Sequence, residues 1–233
     1  MRELHIERTR SEGLTKTVRM LPTPDVDADY DKVYEPAEDS FLLLDSLEQE
    51  KEYINAHYTS PIVVEIGTGS GIVTTFMHNS IVPKGIFLTT DLNPHACRSS
   101  IATSKKNGGA VFIDSLQADL TSCIRPQLID ILVFNPPYVP AETVPEVPAD
   151  EDAYEWLDLA LLGGSDGMIV TDRLLGGLDK ILSTNGTAYI LFCARNKPKK
   201  VSEKMAEKGW DSKLIINRKA GWEDLSVYRF KRL

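Results

Sequence analysis

The sequence predicts an α/β fold: a mostly parallel seven-stranded sheet with helices on both faces and a C-terminal antiparallel hairpin. Three observations lead there. Short apolar runs alternate with helix-like segments from residue 61 to residue 208, the order of βαβ units. The run Pro61-Ile62-Val63-Val64-Glu65-Ile66 opens into a cluster of glycines and then a helical stretch. At the C-terminal end, two strand-like runs have only a loop between them and therefore pair antiparallel. A chain of 233 residues has the length of one such domain and can bury a sizeable core.

Taken in order, Met1 to Arg19 mixes Arg with Glu and lacks apolar periodicity, so residues 1–19 read as a flexible extension and 20–233 as the domain. Glu3, Glu7 and Glu12 argue against an acid-poor mitochondrial presequence. From Pro36 to about Tyr58 the pattern is helical, with Pro36 in the first turn and Leu43, Leu47 and Ile54 on one face. Strands are expected at 61–66, 86–90, 110–117, 130–134 and 186–193, and helices at 71–79, 94–107, 166–182 and 198–208. Residues 212–217 and 225–230 form the hairpin. The connection from Asn135 to Tyr154 carries Pro136, Pro137, Pro140, Pro145 and Pro148, and a loop of that length reads as a rim on the substrate side. Gly163 to Gly167 is either part of that rim or a glycine turn before a helix.

The strand ends carry the chemistry. Gly67-Thr68-Gly69-Ser70-Gly71 allows positive φ and close approach of backbone to a ligand. A dinucleotide fingerprint would need glycine where Ile72 stands, which disfavours a nicotinamide cofactor. Asp91 ends the second strand, about twenty residues past the glycines, where a carboxylate accepts ribose hydroxyls. Asp119, after the third strand, is placed to read an adenine amino group. Acids at three successive strand ends (Glu65, Asp91 and Asp119) outline a nucleoside pocket. Asn135-Pro136-Pro137-Tyr138 follows the apolar run Ile129 to Phe134. Neither proline nitrogen bears a hydrogen, so the Asn135 and Pro136 carbonyls and the Asn135 side-chain oxygen are acceptors, with the Tyr138 ring as a flat face beside them. That cup suits a planar NH2 group, in an amide or an aromatic amine.

These motifs resemble those of class I S-adenosylmethionine-dependent methyltransferases, a Rossmann-like fold, and more narrowly the HemK-type glutamine methyltransferases of translation release factors. Tyr34-Glu35-Pro36-Ala37-Glu38-Asp39-Ser40 and Ala220-Gly221 are similar to the eukaryotic cytosolic branch, whose catalytic subunit methylates the Gly-Gly-Gln loop of the class I release factor. The resemblance implies S-adenosylmethionine as cofactor. Glu65, Gly67 and Gly69 would hold its methionine and ribose end, Asp91 the ribose, Asp119 with the Leu120 amide the adenine, and Ser40 would close the pocket. Asn135, Pro136, Pro137, Tyr138 and Val139 would receive the substrate amide, with Asn135, Pro136 and Tyr138 as the catalytic residues and Asn135 also touching the cofactor. It also implies a small zinc-binding activator as partner. The strand 110–117 offers a physical reason: it belongs at the sheet edge and carries Val111, Phe112, Ile113 and Leu116 against a single charge, Asp114.

Asn-Pro-Pro-Tyr is shared with adenine-N6 DNA methyltransferases, so charge has to separate the substrates. Residues 135–160 hold seven acids and no Lys or Arg, whereas 195–233 hold twelve Lys or Arg against five acids. A duplex enzyme needs cations around its catalytic cup; this cup opens into an acidic segment. Nucleic acid is therefore disfavoured, while lysine or small-molecule substrates stay open. No apolar run reaches membrane-span length. Cys97, Cys123 and Cys193 lack paired spacing and read as free thiols of the cytoplasm, with nuclear entry open to a chain of 25.9 kDa, and no metal-ligand pattern is visible.

Overall fold

The computed structural model describes residues 21–109 and 113–233. Seven strands form one sheet: β1 Ile62–Ile66, β2 Ile86–Asp91, β3 Ile113–Gln117, β4 Ile129–Phe134, β5 Leu182–Cys193, β6 Trp210–Ala220 and β7 Glu223–Arg232. Their spatial order is β3-β2-β1-β4-β5-β7-β6. The first five run parallel; β7 is antiparallel to both β5 and β6. The predicted sheet and terminal hairpin are both present, with β7 inserted between β5 and β6.

The strands read as apolar runs because both faces are covered. Alternation divides them: Val63, Val133, Tyr189 and Leu191 join one buried cluster, and Val64, Leu132, Ala188 and Ile190 the other. Helices α1 (Glu38–Gln49) and α3 (Ile72–Phe76) supply Leu42, Leu43, Leu47, Val73 and Phe76 to the first. The segment after α5 (Trp156–Leu161) holds α6 (Ile169–Leu175) and α7 (Leu178–Ile181), which bring Leu174, Leu175 and Leu178 to the second. There α8 (Pro198–Glu207) adds Val201 and Met205. The helix α4 (Pro94–Lys106) starts with an Asn93 side-chain cap and Pro94 in its first turn.

Three helix expectations are corrected. The stretch from Pro36 to Tyr58 is two helices, α1 and α2 (Lys51–His57), separated by Glu50. The buried Glu50 carboxylate accepts from Arg229 and from the Tyr189 hydroxyl, and that turn of the chain sends it into the sheet face. Pro36 lies before the helix, whose N-cap is Ala37. Residues 166–182 are not one helix: Gly176 and Gly177 separate α6 from α7, and β5 already begins at Leu182. Sequence reading also missed α5, inside the acidic stretch. The expected extension 1–19, and Ala110, Val111 and Phe112 of the third strand, lie outside the described residues.

Strand order reverses between β1 and β4, which opens a crevice beyond their C-terminal ends. The Gly163–Gly167 turn closes on the backbone of residues 137–139 there. Gly163 N donates to Val139 O at 2.9 Å, and Ala141 N to Gly164 O at 3.0 Å. The buried Asn196 ties the same place, donating from Nδ2 to Tyr138 O at 3.1 Å and to Asp166 O at 3.0 Å. Gly167 has φ +67°, and a Cβ there would sit 1.9 Å from Tyr138 O. Gly167→Ala should therefore cost more than about 2 kcal/mol in denaturant unfolding, the range of strained backbone plus a clash. Gly209→Ala, where φ is +83° and no atom lies within 4 Å, should cost only about 1 kcal/mol. Equal losses would mean that the turn does not pack on Tyr138 as described.

Candidate active site

The crevice holds a cavity of about 380 Å³ lined from β1 (Glu65, Ile66), the glycine loop, β2 (Asp91), Asp119-Leu120, β4 with Asn135, and α1. Glu65 is buried at the end of β1. Its Oε2 accepts from Thr68 Oγ1 at 3.1 Å, from Thr74 N at 3.0 Å and from Thr74 Oγ1. One carboxylate thus braces both ends of the loop from residue 67 to residue 74. Gly67, Gly69 and Gly71 all have positive φ. A Cβ at Gly69 would meet nothing within 4 Å, so the space beside that backbone is open. At Gly71 the loop instead packs against α4, where a Cβ would come 2.5 Å from Ser100 Cα.

Asp91 fastens the loop from the next strand. Its Oδ2 accepts from Gly69 N at 3.1 Å and its Oδ1 from Asn93 N at 2.9 Å. Burial raises the Asp91 pKa, opposed by those backbone N–H groups. Burial likewise pushes Glu65 up to about 7, against the hydrogen bonds from Thr74 and Thr68. Asp119 forms an ion pair with Arg173 of α6, Nη2 to Oδ2 at 2.5 Å, and the adjacent Leu120 has φ +50°. Arg173 also lines the cavity. Ionic partners across a fold leave no periodic trace, so the pair was not visible in the sequence.

At the β4 end, Asn135 Nδ2 donates to Asp39 Oδ2 at 2.9 Å, while Asn135 Oδ1 is buried without a partner among the described residues. Asp39 is itself buried and accepts on Oδ1 from Ser40 N at 2.7 Å and from Tyr34 Oη at 3.4 Å. The Tyr34 hydroxyl is raised in pKa by burial and by the charge of Asp39, so it stays a donor. Ser40, expected to close the pocket, is on the cavity wall beside Asp39.

The predicted substrate residues divide. Asn135 and Pro137 line the cavity, whereas Pro136 is buried beneath it, and Tyr138 and Val139 stand outside the lining. Tyr138 points its hydroxyl to Glu223 Oε2 at 3.0 Å, at the start of β7. Val139 N donates to Leu161 O at 2.9 Å, so Val139 is held against the end of α5. The proline-rich segment, expected as a rim, walls the cavity itself through Val144, Pro145 and Val147. It is held down by Arg98 and His95 at Glu151, by Lys32 at the Asp152 carbonyl, and by Trp156 Nε1 at Asp150 O.

A doubly wound parallel sheet with an antiparallel terminal hairpin, a glycine loop after β1, acids at the ends of β1 and β2 and another after β3 is the class I methyltransferase arrangement. Comparison with known proteins agrees. The sequence profile of the Methyltransferase small domain matches residues 38–148. Methyltransferase HEMK2 of Homo sapiens is 35% identical over 206 residues, 87% of this chain and 91% of that protein. The eRF1 methyltransferase catalytic subunit mtq2 of Schizosaccharomyces pombe is 35% identical over 88% of this chain and 91% of its own. Among solved structures, Mtq2 in the E. cuniculi Mtq2–Trm112 complex superposes with a TM-score of 0.63 at 26% identity, covering 87% of this chain and 99% of that one. The chain belongs to the HEMK2/Mtq2 family of methyltransferases, enzymes that use S-adenosylmethionine.

The residues present fit that cofactor. The cavity is of small-ligand size, the space beside Gly69 is open to an approaching group, and carboxylates from Asp39, Glu65 and Asp91 face a molecule whose sulfonium and ammonium are both cationic. Among the described residues no group of His, Cys, Asp or Glu is arranged to hold a metal.

The buried Glu65 makes a stability prediction. Its pKa of about 7 in the fold stands above the ordinary value of 4.5, so the folded state holds more protons than the unfolded state between those limits. Its contribution is full below the lower value and is lost as pH rises through the upper one. The stability of the wild type relative to Glu65→Gln should thus decline from about pH 5 to about pH 8, with a slope of at most about 1.4 kcal/mol per pH unit. Thermal melts showing a difference that is flat with pH would contradict this description of Glu65.

Proposed function

We propose that this chain methylates the side-chain nitrogen of a glutamine presented on the Gly-Gly-Gln loop of a eukaryotic translation release factor. The observation that carries the proposal is Asn135, a residue of the strand-end cavity lining whose side-chain Oδ1 is a buried acceptor without a partner among the described residues. An unpaired buried acceptor costs about 1–3 kcal/mol, and an incoming NH2 group removes that cost. The eRF1 named for the S. pombe relative, and for the E. cuniculi complex, supports a release factor as the protein that supplies the glutamine. The acidic segment from residue 142 to residue 158 weighs against a phosphate backbone over the same cup.

In this reading Asn135 Oδ1 accepts one amide hydrogen; the Pro136 carbonyl, expected from the motif to accept the other, belongs to a buried residue outside the cavity lining. Tyr138, held by Glu223, flanks the amide plane. Glu65 and Asp91 keep the glycine loop in place for the cofactor, Asp91 taking the ribose and Asp119 with Leu120 the adenine. Gly67 and Gly69 leave room for backbone contact, and Ser40 closes the α1 side. When bound, S-adenosylmethionine would supply an electrophilic sulfonium methyl for the amide nitrogen, its sulfur becoming a neutral thioether, and one amide proton would pass to water. The protein's share is orientation and a field that favours positive charge on nitrogen: Asp39 and Glu223 both stand near Tyr138, whose hydroxyl pKa is raised by burial, then by Asp39 and Glu223.

The test uses labelled cofactor and release factor carrying Gly-Gly-Gln, or Gly-Gly-Asn, or Gly-Gly-Ala. Label on the glutamine protein alone is the expected result; equal label on all three would remove the glutamine assignment.

The same proposal includes a small zinc-binding activator on the β3 edge. Among the described residues β3 pairs with β2 alone and ends the sheet, and Ile113 and Leu116 are only half-buried on it. An apolar edge strand is a place for another chain to add its own backbone. Co-expression with the activator should raise soluble yield, and Leu116→Lys should reduce co-purification while Asn135→Ala does not. An isolated chain that is monodisperse and fully active would overturn the partner.

A further inference from the structure

We infer that Asp39 is the positioning residue that fixes which end of the Asn135 amide faces the substrate, an inference that rests on the function just proposed. An Asn side chain has a donor end and an acceptor end of nearly equal shape, and a rotation of the amide exchanges them. Nothing in Asn135 itself selects one. Asp39 Oδ2 does, because a carboxylate accepts and the atom 2.9 Å away must then be Nδ2. The reversed amide would set two acceptor oxygens against each other in a buried place. Oδ1 is left as the unpaired buried atom, so the carboxylate on α1 is what presents an acceptor at the end of β4.

Asp39 is equipped for that work. It is 5% exposed, and its other oxygen is engaged by Ser40 N and by the Tyr34 hydroxyl, both donors. These contacts hold the carboxylate plane and leave Oδ2 for Asn135. They also explain the chemistry of the segment from Tyr34 to Ser40, of which the sequence reading assigned only Ser40. Tyr34, Asp39 and Ser40 build one hydrogen-bonded brace across the cavity from α1 to β4.

Asp39→Asn keeps the size of the side chain and removes the selection. The introduced amide nitrogen would donate to Asn135 Oδ1, which both reverses the Asn135 amide and consumes the acceptor. With the full chain and Gly-Gly-Gln release factor, Asp39→Asn should lower kcat tenfold or more at saturating S-adenosylmethionine, a loss separate from any weakening of cofactor affinity that calorimetry reads for the lost charge. An unchanged kcat, or a loss confined to cofactor affinity, overturns the inference.

A second readout needs no turnover. In the amide nitrogen–proton spectrum of the wild-type chain, one proton of the Asn135 NH2 pair should be shifted downfield and protected from solvent exchange. The pair is identified by its disappearance in Asn135→Ala, and its shift should vanish in Asp39→Asn. A wild-type Asn135 pair without shift or protection overturns the inference even if the Asp39 variant does not fold. The two readings fail separately. Protected Asn135 with no glutamine methylation removes the proposed function alone, whereas glutamine methylation that survives Asp39→Asn unchanged removes the positioning role alone.

Discussion

An ionised carboxylate accepts hydrogen bonds and donates none, so the 2.9 Å contact from Asn135 Nδ2 to Asp39 Oδ2 allows a single orientation of the Asn135 amide. The buried oxygen that remains is the feature around which the rest of the site is arranged. β4 delivers Asn135 to the crevice because the strand order reverses beside it. α1 delivers Asp39 because Leu42, Leu43 and Leu47 bury its apolar face on the sheet. The acceptor therefore depends on two elements almost a hundred residues apart in the chain.

The same economy governs the cofactor side. Glu65 and Asp91 serve the fold before any ligand arrives, since their oxygens hold Thr68, Thr74, Gly69 and Asn93 in place. Burial raises both carboxyl groups, and the desolvation opposing their charge is what a bound cation would relieve. Arg173 pairs with Asp119 at the cavity wall, and the segment pinned at Glu151 and Asp152 contributes Val144, Pro145 and Val147 to that wall. A preorganised pocket of this kind needs little rearrangement when its ligand binds.

The sheet was legible in the sequence because strands buried on both faces leave apolar runs, and glycines and acids punctuate their ends. Asn135, Glu65 and Asp91 were found by position at strand ends, a local signal. Asp39, Arg173, Asn196 and Glu223 were not, because each acts through a partner far away in sequence. Helix breaks were missed for a related reason. Glu50 interrupts a helical pattern to reach Arg229, and nothing near Glu50 announces that partner. Tyr138 was read as a face of the cup from its neighbours in the motif, and its hydroxyl turned out to be committed to the terminal hairpin.

An oriented amide oxygen at the end of β4 suits recognition of a primary amide. Fragmentation mass spectrometry of the methylated release factor tests it most directly, by locating the added methyl. The predicted result is a single methyl on the side-chain nitrogen of the glutamine in the Gly-Gly-Gln loop. A methyl on any other residue, or on the backbone of that loop, would contradict it.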